Sequence, residues 1–439
     1  MKIKLNTISA FQFNQLARYT TLILTGIVFT KTSITQTEIG QYETFTFLAG
    51  AVSFFWLNGL QKALLPLTGN KTGKDAGIFS SFVVLQLLSL LAAVFLLLLR
   101  PVFSDLLLNG KEIPVAGLLI LYIIFGVPSG LVEYYYLIEQ KNKSSIIYSV
   151  VSFSVQLLLV ALPAVLGWGI KAVFGGLVIS ALLRYFWLWI IFIAAKKISY
   201  SHSFVKEFLQ LGGPLVLATL LSGSAQFVDG FIVTSNFDEE TFAIFRYGAR
   251  ELPLALLLAN ALSNAMLPGF AHPANLKENL FQLKKSVFRL MHFLFPVTLV
   301  LLLVSHPVFP VIFNPAFAES ATIFNIYLLL VISRLLLPQT ILNGMKITGP
   351  IMIAALLELT VNVSLSLIFV RFWGIAGVAA ATFIAYLFEK VYLSAITYRK
   401  LKISPADYIP IKPFLIYSVL TLAVFAITEW LPEILILAI

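Results

Sequence analysis

Arg246 and Arg250 stand four residues apart in an otherwise apolar stretch, and Asn58 and Lys62 repeat that spacing earlier in the chain. Four residues is about one helical turn, so each pair is expected to share a face. Asn260 and Asn264 follow Arg246 and Arg250 by fourteen positions, close to four turns, which predicts one polar stripe down that segment. Arg18 and Arg334 are further cations set in apolar runs. A guanidinium offers a fork of donors matched to phosphate or carboxylate oxygens, so the chemistry expected of such a group is recognition of an anion. The acidic side chains in apolar runs are Glu133, Asp229, Glu251, Glu358 and Glu389, with Glu43 near the start of one. Asp229 and Glu358 are the candidates for coupling to a proton or sodium ion, and equally for structural pairing with an arginine.

Bond-breaking chemistry finds little support. The chain has no cysteine, and its four histidines (His202, His272, His292 and His306) show no metal-ligand spacing. No catalytic residue, metal or cofactor is expected.

These residues must be positioned by membrane helices. The 439-residue chain is 59% hydrophobic and only 11% charged, with a mean hydropathy of +0.94; a water-exposed surface needs more charge than that. A hydrocarbon core of roughly 30 Å takes about 20 apolar residues. That ruler predicts spans at 13–33, 40–65, 78–99, 114–138, 146–167, 172–195, 209–234, 241–267, 287–305, 319–343, 350–370, 375–397 and 412–430. The thirteenth is the weakest, because Glu429 and Pro432 interrupt its end. Met1-Lys2-Ile3-Lys4 precedes the first span without a cleavage pattern, so that span reads as a retained helix.

The net charge of +10 does not point to nucleic acid. Lys and Arg sit in short loops between apolar runs, where they set topology. With the N-terminus cytoplasmic, eighteen fall on the inner side and five on the outer, and seven remain within spans: Arg18, Lys62, Arg184, Arg246, Arg250, Arg334 and Lys390. A charge at the bilayer centre costs roughly 2.5–3.5 kcal/mol, so each should face protein or a watery cavity, or snorkel to the interface. Snorkelling is the expectation for Arg184 and Lys390. For Arg246 and Arg250 a cavity wall competes with an ion pair to Glu251 or Asp229.

The halves of the chain repeat. Trp168-Gly169-Ile170 is matched by Trp373-Gly374-Ile375, 205 residues on; Asn58, Lys62 and Pro66 by Asn260, Asn264 and Pro268 at 202; Gln140 and Lys143 by Asn343 and Lys346 at 203. Six spans return the chain to its starting side, so the halves are parallel repeats, a plan that places substrate between halves near the midplane. The expected division is 1–200, 201–403 and an additional helix in 404–439.

Three stretches carry a family resemblance: Ala225-Gln226-Phe227-Val228-Asp229-Gly230-Phe231-Ile232, Phe242-Ala243-Ile244-Phe245-Arg246-Tyr247 and Asn264-Ala265-Met266-Leu267-Pro268. With Glu38-Ile39-Gly40-Gln41-Tyr42 and Trp373-Gly374-Ile375-Ala376-Gly377-Val378-Ala379-Ala380, they resemble the multidrug/oligosaccharidyl-lipid/polysaccharide exporter superfamily, and within it the O-antigen-type flippases of polysaccharide biosynthesis. The resemblance implies an all-α integral membrane fold of 12–13 helices in two pseudo-symmetric six-helix halves, like that of MATE transporters. It implies a flippase carrying undecaprenyl-pyrophosphate-linked oligosaccharide from the inner to the outer leaflet of a bacterial plasma membrane, with a polysaccharide polymerase as partner. It also implies a cationic cavity formed by Arg18, Lys62, Arg246, Arg250 and Arg334, with Asn58, Asn260 and Asn264 as sugar contacts.

Two other readings compete. An ion-coupled drug/cation antiporter of the same superfamily would usually carry a carboxylate in the first span, where this chain has Arg18 and no Asp or Glu. A membrane polysaccharide polymerase or ligase would present a large outer loop with catalytic Arg or His, whereas the outer loops here are short.

Overall fold

The computed structural model describes residues 7–68, 71–250, 253–270 and 275–437. The basic N-terminal residues, Glu251 and His272 lie outside them. Among the described residues the regular structure is helical throughout.

The elements are α1 (Thr7–Thr30), α2 (Gln36–Leu67), α3 (Lys71–Leu98), α4 (Ala116–Ser129) with its continuation α5 (Leu131–Ile138), α6 (Asn142–Val165), α7 (Ile170–Ala194) and α8 (His202–Gly223). Then come α9 (Ala225–Asn236), α10 (Glu239–Gly248), α11 (Pro253–Phe270), α12 (Leu276–Ile312), α13 (Ser320–Leu328), α14 (Leu330–Arg334), α15 (Pro338–Gly344), α16 (Gly349–Leu401) and α17 (Ile411–Leu437). Each of the thirteen expected spans has its counterpart. Among the described residues eight helices are long and apolar enough by themselves to cross a bilayer, nine if the bent run from α13 to α15 counts as one. α1 and α2 have the length and lack only the apolarity. They are the helices that carry Arg18, Asn58 and Lys62, so polarity inside the protein is what hides them from a hydropathy ruler.

Local chemistry sets the helix ends. Thr35 and Glu38 form a capping box on α2, with the Thr35 amide donating to Glu38 Oε2 at 2.8 Å and the Glu38 amide to Thr35 Oγ1 at 3.2 Å. Asp238 caps α10 by accepting from the Thr241 amide at 2.8 Å, and the Thr241 side-chain hydrogen bond, with that amide bond, holds its carboxyl below the usual range. Prolines and broken helices mark the second half. α8 stops at Gly223, and α10 ends before Pro253, which opens α11. Proline supplies no amide hydrogen and pushes the residue before it out of the helical region.

The repeat is visible in the backbone itself. Left-handed residues recur at Gln140 and Lys346, 206 apart, at Gly169 and Gly374, 205 apart, and at Lys196 and Lys402, 206 apart. Both residues of the first pair follow the last helical turn, where a left-handed residue lets the next amide reach back: Lys141 to Tyr136 at 3.0 Å and Ile347 to Leu342 at 2.8 Å. Gln140 therefore corresponds to Lys346, and the offset of 203 read from Gln140 and Asn343 is corrected by three residues. Both Trp-Gly pairs put glycine at positive φ, Gly169 at 80° ahead of α7 and Gly374 at 56° inside α16. α16 has 53 residues and would be about 80 Å long if straight. At Gly374 it turns back on itself, so that Asn362 before the turn donates to Thr382 after it at 2.9 Å. It is two spans, as the sequence indicates.

By packing, the chain divides into two compact units, residues 1–223 with 234–243, and residues 224–233 with 244–439. The first includes α8, because Gly59 of α2 leaves room for the backbone of Val216 and a side chain there would collide with it. Its interior is aromatic: Phe45 packs against Phe174 and Tyr122, and Phe82 against Trp189, Tyr185 and Phe192. The core of the second unit is built from Leu283, Val287, Met291, Leu335, Ile341 and Tyr408, with Phe295 stacked on Tyr417. Outward-facing apolar side chains such as Leu91, Leu98, Val311 and Phe372 are exposed, as expected for a surface solvated by lipid.

Glu429 does not interrupt the last span. Its side chain is 7% exposed, accepting from Asn325 Nδ2 at 2.5 Å and lying 2.9 Å from His306 Nε2, and α17 continues past it.

Candidate functional site

Within the first unit α1, α2, α4–α5, α6 and α7 enclose a cavity of about 550 Å³, in the range of roughly 300–1,000 Å³ usual for small-molecule sites. Three charged side chains line it: Arg18, Glu133 and Arg184. Asn14 and Arg18 are one turn apart on α1 and both face Glu133 on α5. Arg18 pairs with Glu133. Oriented with its nitrogen toward the carboxylate, the Asn14 amide donates to both Glu133 oxygens, at 2.9 and 3.2 Å, and accepts from Ser149 Oγ at 2.9 Å. Arg184 on α7 donates to Gln156 Oε1 on α6. The ring of Phe153 has both guanidiniums over it, Arg184 at 5.1 Å and Arg18 at 5.9 Å from its centroid, the range of cation–π attraction. Amides of Asn58 and Gln61 and the phenols of Tyr19 and Tyr134 complete a wall rich in hydrogen-bonding groups. Such a wall suits an anion carrying hydroxylated groups.

Of the residues singled out in the sequence, Arg18 and Asn58 line this cavity. Lys62, one turn beyond Asn58, is not among its lining residues, and its ammonium lies 3.4 Å from Thr219 Oγ1. Arg184 corrects the snorkelling expectation, since it is directed into the cavity. Lys390 corrects it too: it is buried, 2.8 Å from Glu389 Oε2 and 3.4 Å from Gln339 Oε1.

In the second unit the expected stripe is not continuous. Arg246 lies in the last turn of α10 and Arg250 lies beyond the helix, so the two do not share a helical face and the fourteen-residue register to Asn260 and Asn264 fails. The break before Pro253 is the cause. Arg250 stacks on Tyr247 at 4.4 Å and Arg334 on Tyr386 at 4.6 Å. Asn260 and Asn264 are exposed on α11. Glu358 is buried within electrostatic reach of Glu389, Lys390 and Arg334.

Among the described residues of this unit Asp229 is the most buried carboxylate. It accepts from Thr382 Oγ1 at 2.5 Å, Tyr327 Oη at 2.9 Å and Asn362 Nδ2 at 3.3 Å. Its partners are neutral hydroxyl and amide groups rather than Arg246 or Arg250. Asn362 Oδ1 and Ser366 Oγ, one turn apart on α16, are buried without a hydrogen-bond partner. Buried oxygens without a donor are costly, and a proton or a cation would satisfy them.

Sequence reasoning did not assign Glu133, Arg184 and Gln156 to the cavity, and it missed Asn14 behind Glu133 and the Asp229 partners Tyr327, Asn362 and Thr382. One signal was present: a carboxylate in a span needs a partner, and Glu133 had none nearby in sequence.

The helical fold is shared with solved multi-pass membrane transporters. It superposes on the lipid II flippase MurJ in an inward closed conformation with a TM-score of 0.71 and 20% identity, over 96% of this chain and 95% of that one. It also superposes on an inward-facing multidrug resistance MATE family transporter at 0.61 and 14%, covering 92% and 96%. A third, from Pyrococcus furiosus and described as having a binding pocket of reverse polarity, matches at 0.56 and 14%, covering 90% and 94%. Residues 34–322 match the family of polysaccharide biosynthesis proteins, and the chain belongs to that family. By sequence no curated protein matches it.

Proposed function

We propose that the protein flips undecaprenyl-pyrophosphate-linked oligosaccharide from the inner to the outer leaflet of a bacterial plasma membrane, with its N-terminus cytoplasmic, for surface polysaccharide assembly. The observation that carries this reading is the intramembrane cavity holding Arg18 and Arg184 around Phe153, with amides and phenols beside them. The guanidiniums receive the pyrophosphate, and Asn58, Gln61 and the phenols receive sugar hydroxyls. Arg246, Arg250, Arg334 and Lys62, with Asn260 and Asn264, serve the substrate at later points of its path. The repeats 1–200 and 201–403 rock against each other to alternate access, and 404–439 adds a further membrane helix. Asp229 takes the coupling proton or sodium ion, with Glu358 as the second candidate. A polysaccharide polymerase receives the delivered lipid.

Translocation of a short undecaprenyl-pyrophosphate oligosaccharide in proteoliposomes tests the reading. Wild-type movement that is lost in Arg18→Ala and in the Arg246→Ala/Arg250→Ala double variant supports it. No movement by the wild type with several glycans and both ion gradients overturns it, and leaves an ion-coupled cation antiporter as the better account of Asp229.

A further inference from the structure

Glu133 presents a problem for an anion-binding cavity. It is an acid in a cavity wall whose other charged residues are Arg18 and Arg184, and it is joined to Arg18. Its side chain is 6% exposed, while that of Arg18, which lines the cavity, is 51% exposed. The guanidinium therefore has donors facing the cavity as well as those turned to Glu133.

A buried ion pair that loses one partner is strongly destabilised, because the remaining charge is left uncompensated. Here the carboxylate has a second holder. Asn14 donates to both of its oxygens and is itself fixed by Ser149. If Arg18 swings away, Glu133 keeps two amide hydrogen bonds and stays where it is. Arg18, for its part, retains the face of Phe153 as a neighbour, shared with Arg184. The pair is thus built so that the arginine can change partners while the carboxylate cannot follow it.

We propose that Glu133 is a resident surrogate for the substrate's phosphate: it occupies Arg18 in the empty protein and gives it up when an anionic lipid headgroup enters, then reclaims it as the headgroup leaves. The inference rests on the flippase reading and adds an affinity-setting residue to it. Glu133 neutralises one of the cavity's two cations in the absence of substrate, so that binding is an exchange of anions on one guanidinium rather than a net gain of a charge pair. A carrier needs such exchange, since a site that holds its cargo too tightly does not release it. Asn14 is the positioning residue that makes the exchange reversible.

The test is equilibrium binding of undecaprenyl pyrophosphate to the purified full-length chain in detergent, beside the translocation assay. Glu133→Gln keeps the shape and one of the two hydrogen bonds from Asn14 but removes the competing charge. It is expected to bind undecaprenyl pyrophosphate about tenfold more tightly than wild type, within the range seen when close charge pairs are altered, and to turn over more slowly. The gain must vanish in the Arg18→Ala/Glu133→Gln double variant. A merely structural pair predicts the opposite, unchanged or weaker binding by Glu133→Gln. That result, in protein whose thermal unfolding and elution match wild type, overturns the surrogate and leaves the flippase reading standing. If Glu133→Gln does not fold, Glu133→Asp decides: its shorter arm withdraws the carboxylate from Arg18, so tighter binding supports the proposal and equal or weaker binding overturns it. A wild type that binds no undecaprenyl pyrophosphate overturns the flippase reading, and the surrogate with it.

Discussion

Thr382 donates a 2.5 Å hydrogen bond to Asp229, which lies 153 residues earlier in the chain. The bond joins α9 to the second limb of α16, and Asn362 on the first limb bonds to both residues. One carboxylate is thereby fastened to both sides of the hairpin that turns at Gly374.

Loss of the Asp229 carboxylate should uncouple transport from its driving ion. Asp229→Asn keeps the size and much of the hydrogen bonding, so the protein should fold while its response to a sodium or proton gradient disappears. Thr382→Val removes one bond to the charged carboxylate, worth roughly 1.5–3 kcal/mol; with a proton as the coupling ion, the concentration for half-maximal transport should therefore fall about tenfold or more. Flux measured under imposed sodium and pH gradients separately checks both variants and identifies the ion.

Gly374→Ala should destabilise the protein. At φ 56° and ψ −138° the backbone occupies a region that side chains rarely adopt, and strain of this kind costs of the order of 1–3 kcal/mol. Gly175→Ala, where an added methyl meets nothing within 4 Å, should be silent. Thermal unfolding in detergent of the two variants side by side measures the difference.

Glu429→Ala should loosen α17. It removes a buried acceptor shared by His306 and Asn325 and leaves the Asn325 amide unsatisfied, a cost of about 1–3 kcal/mol. Faster protease cleavage after residue 404, with the preceding helices intact, is the expected readout.

Acid should open the start of α10. The Thr241 hydrogen bonds depress the Asp238 carboxyl in the folded state, so their stabilisation is full above the ordinary carboxylate range and is lost as pH falls through the depressed value. Hydrogen exchange at the Thr241 amide, corrected for intrinsic rates, should accelerate below about pH 4. In Asp238→Asn, which retains a capping oxygen, it should become independent of pH.

The chain contains no cysteine, so single cysteines report orientation without background. With the N-terminus cytoplasmic, Asn109→Cys should react with a membrane-impermeant thiol reagent added outside intact cells and Lys143→Cys only after lysis. The reverse pattern would overturn the assigned orientation.

Membrane residence, thirteen segments and the repeat are determined by the sequence alone, because hydropathy and loop charge act segment by segment through the bilayer as solvent. Trp168-Gly169 and Trp373-Gly374 announce their turns because glycine meets a local backbone requirement. Capping at Thr35 and Glu38 is legible for the same reason. Spacing along a helix misleads where the helix breaks: Arg246 and Arg250 look like neighbours on one face, and the stop before Pro253 separates them. What only the tertiary structure decides is partnership across distance. The pairing of Arg18 with Glu133, of Arg184 with Gln156, and of Asp229 with Thr382 depends on which helix faces which. Interior packing fixes that choice, and apolar sequence carries almost no information about it, since in lipid every apolar face is equally well solvated.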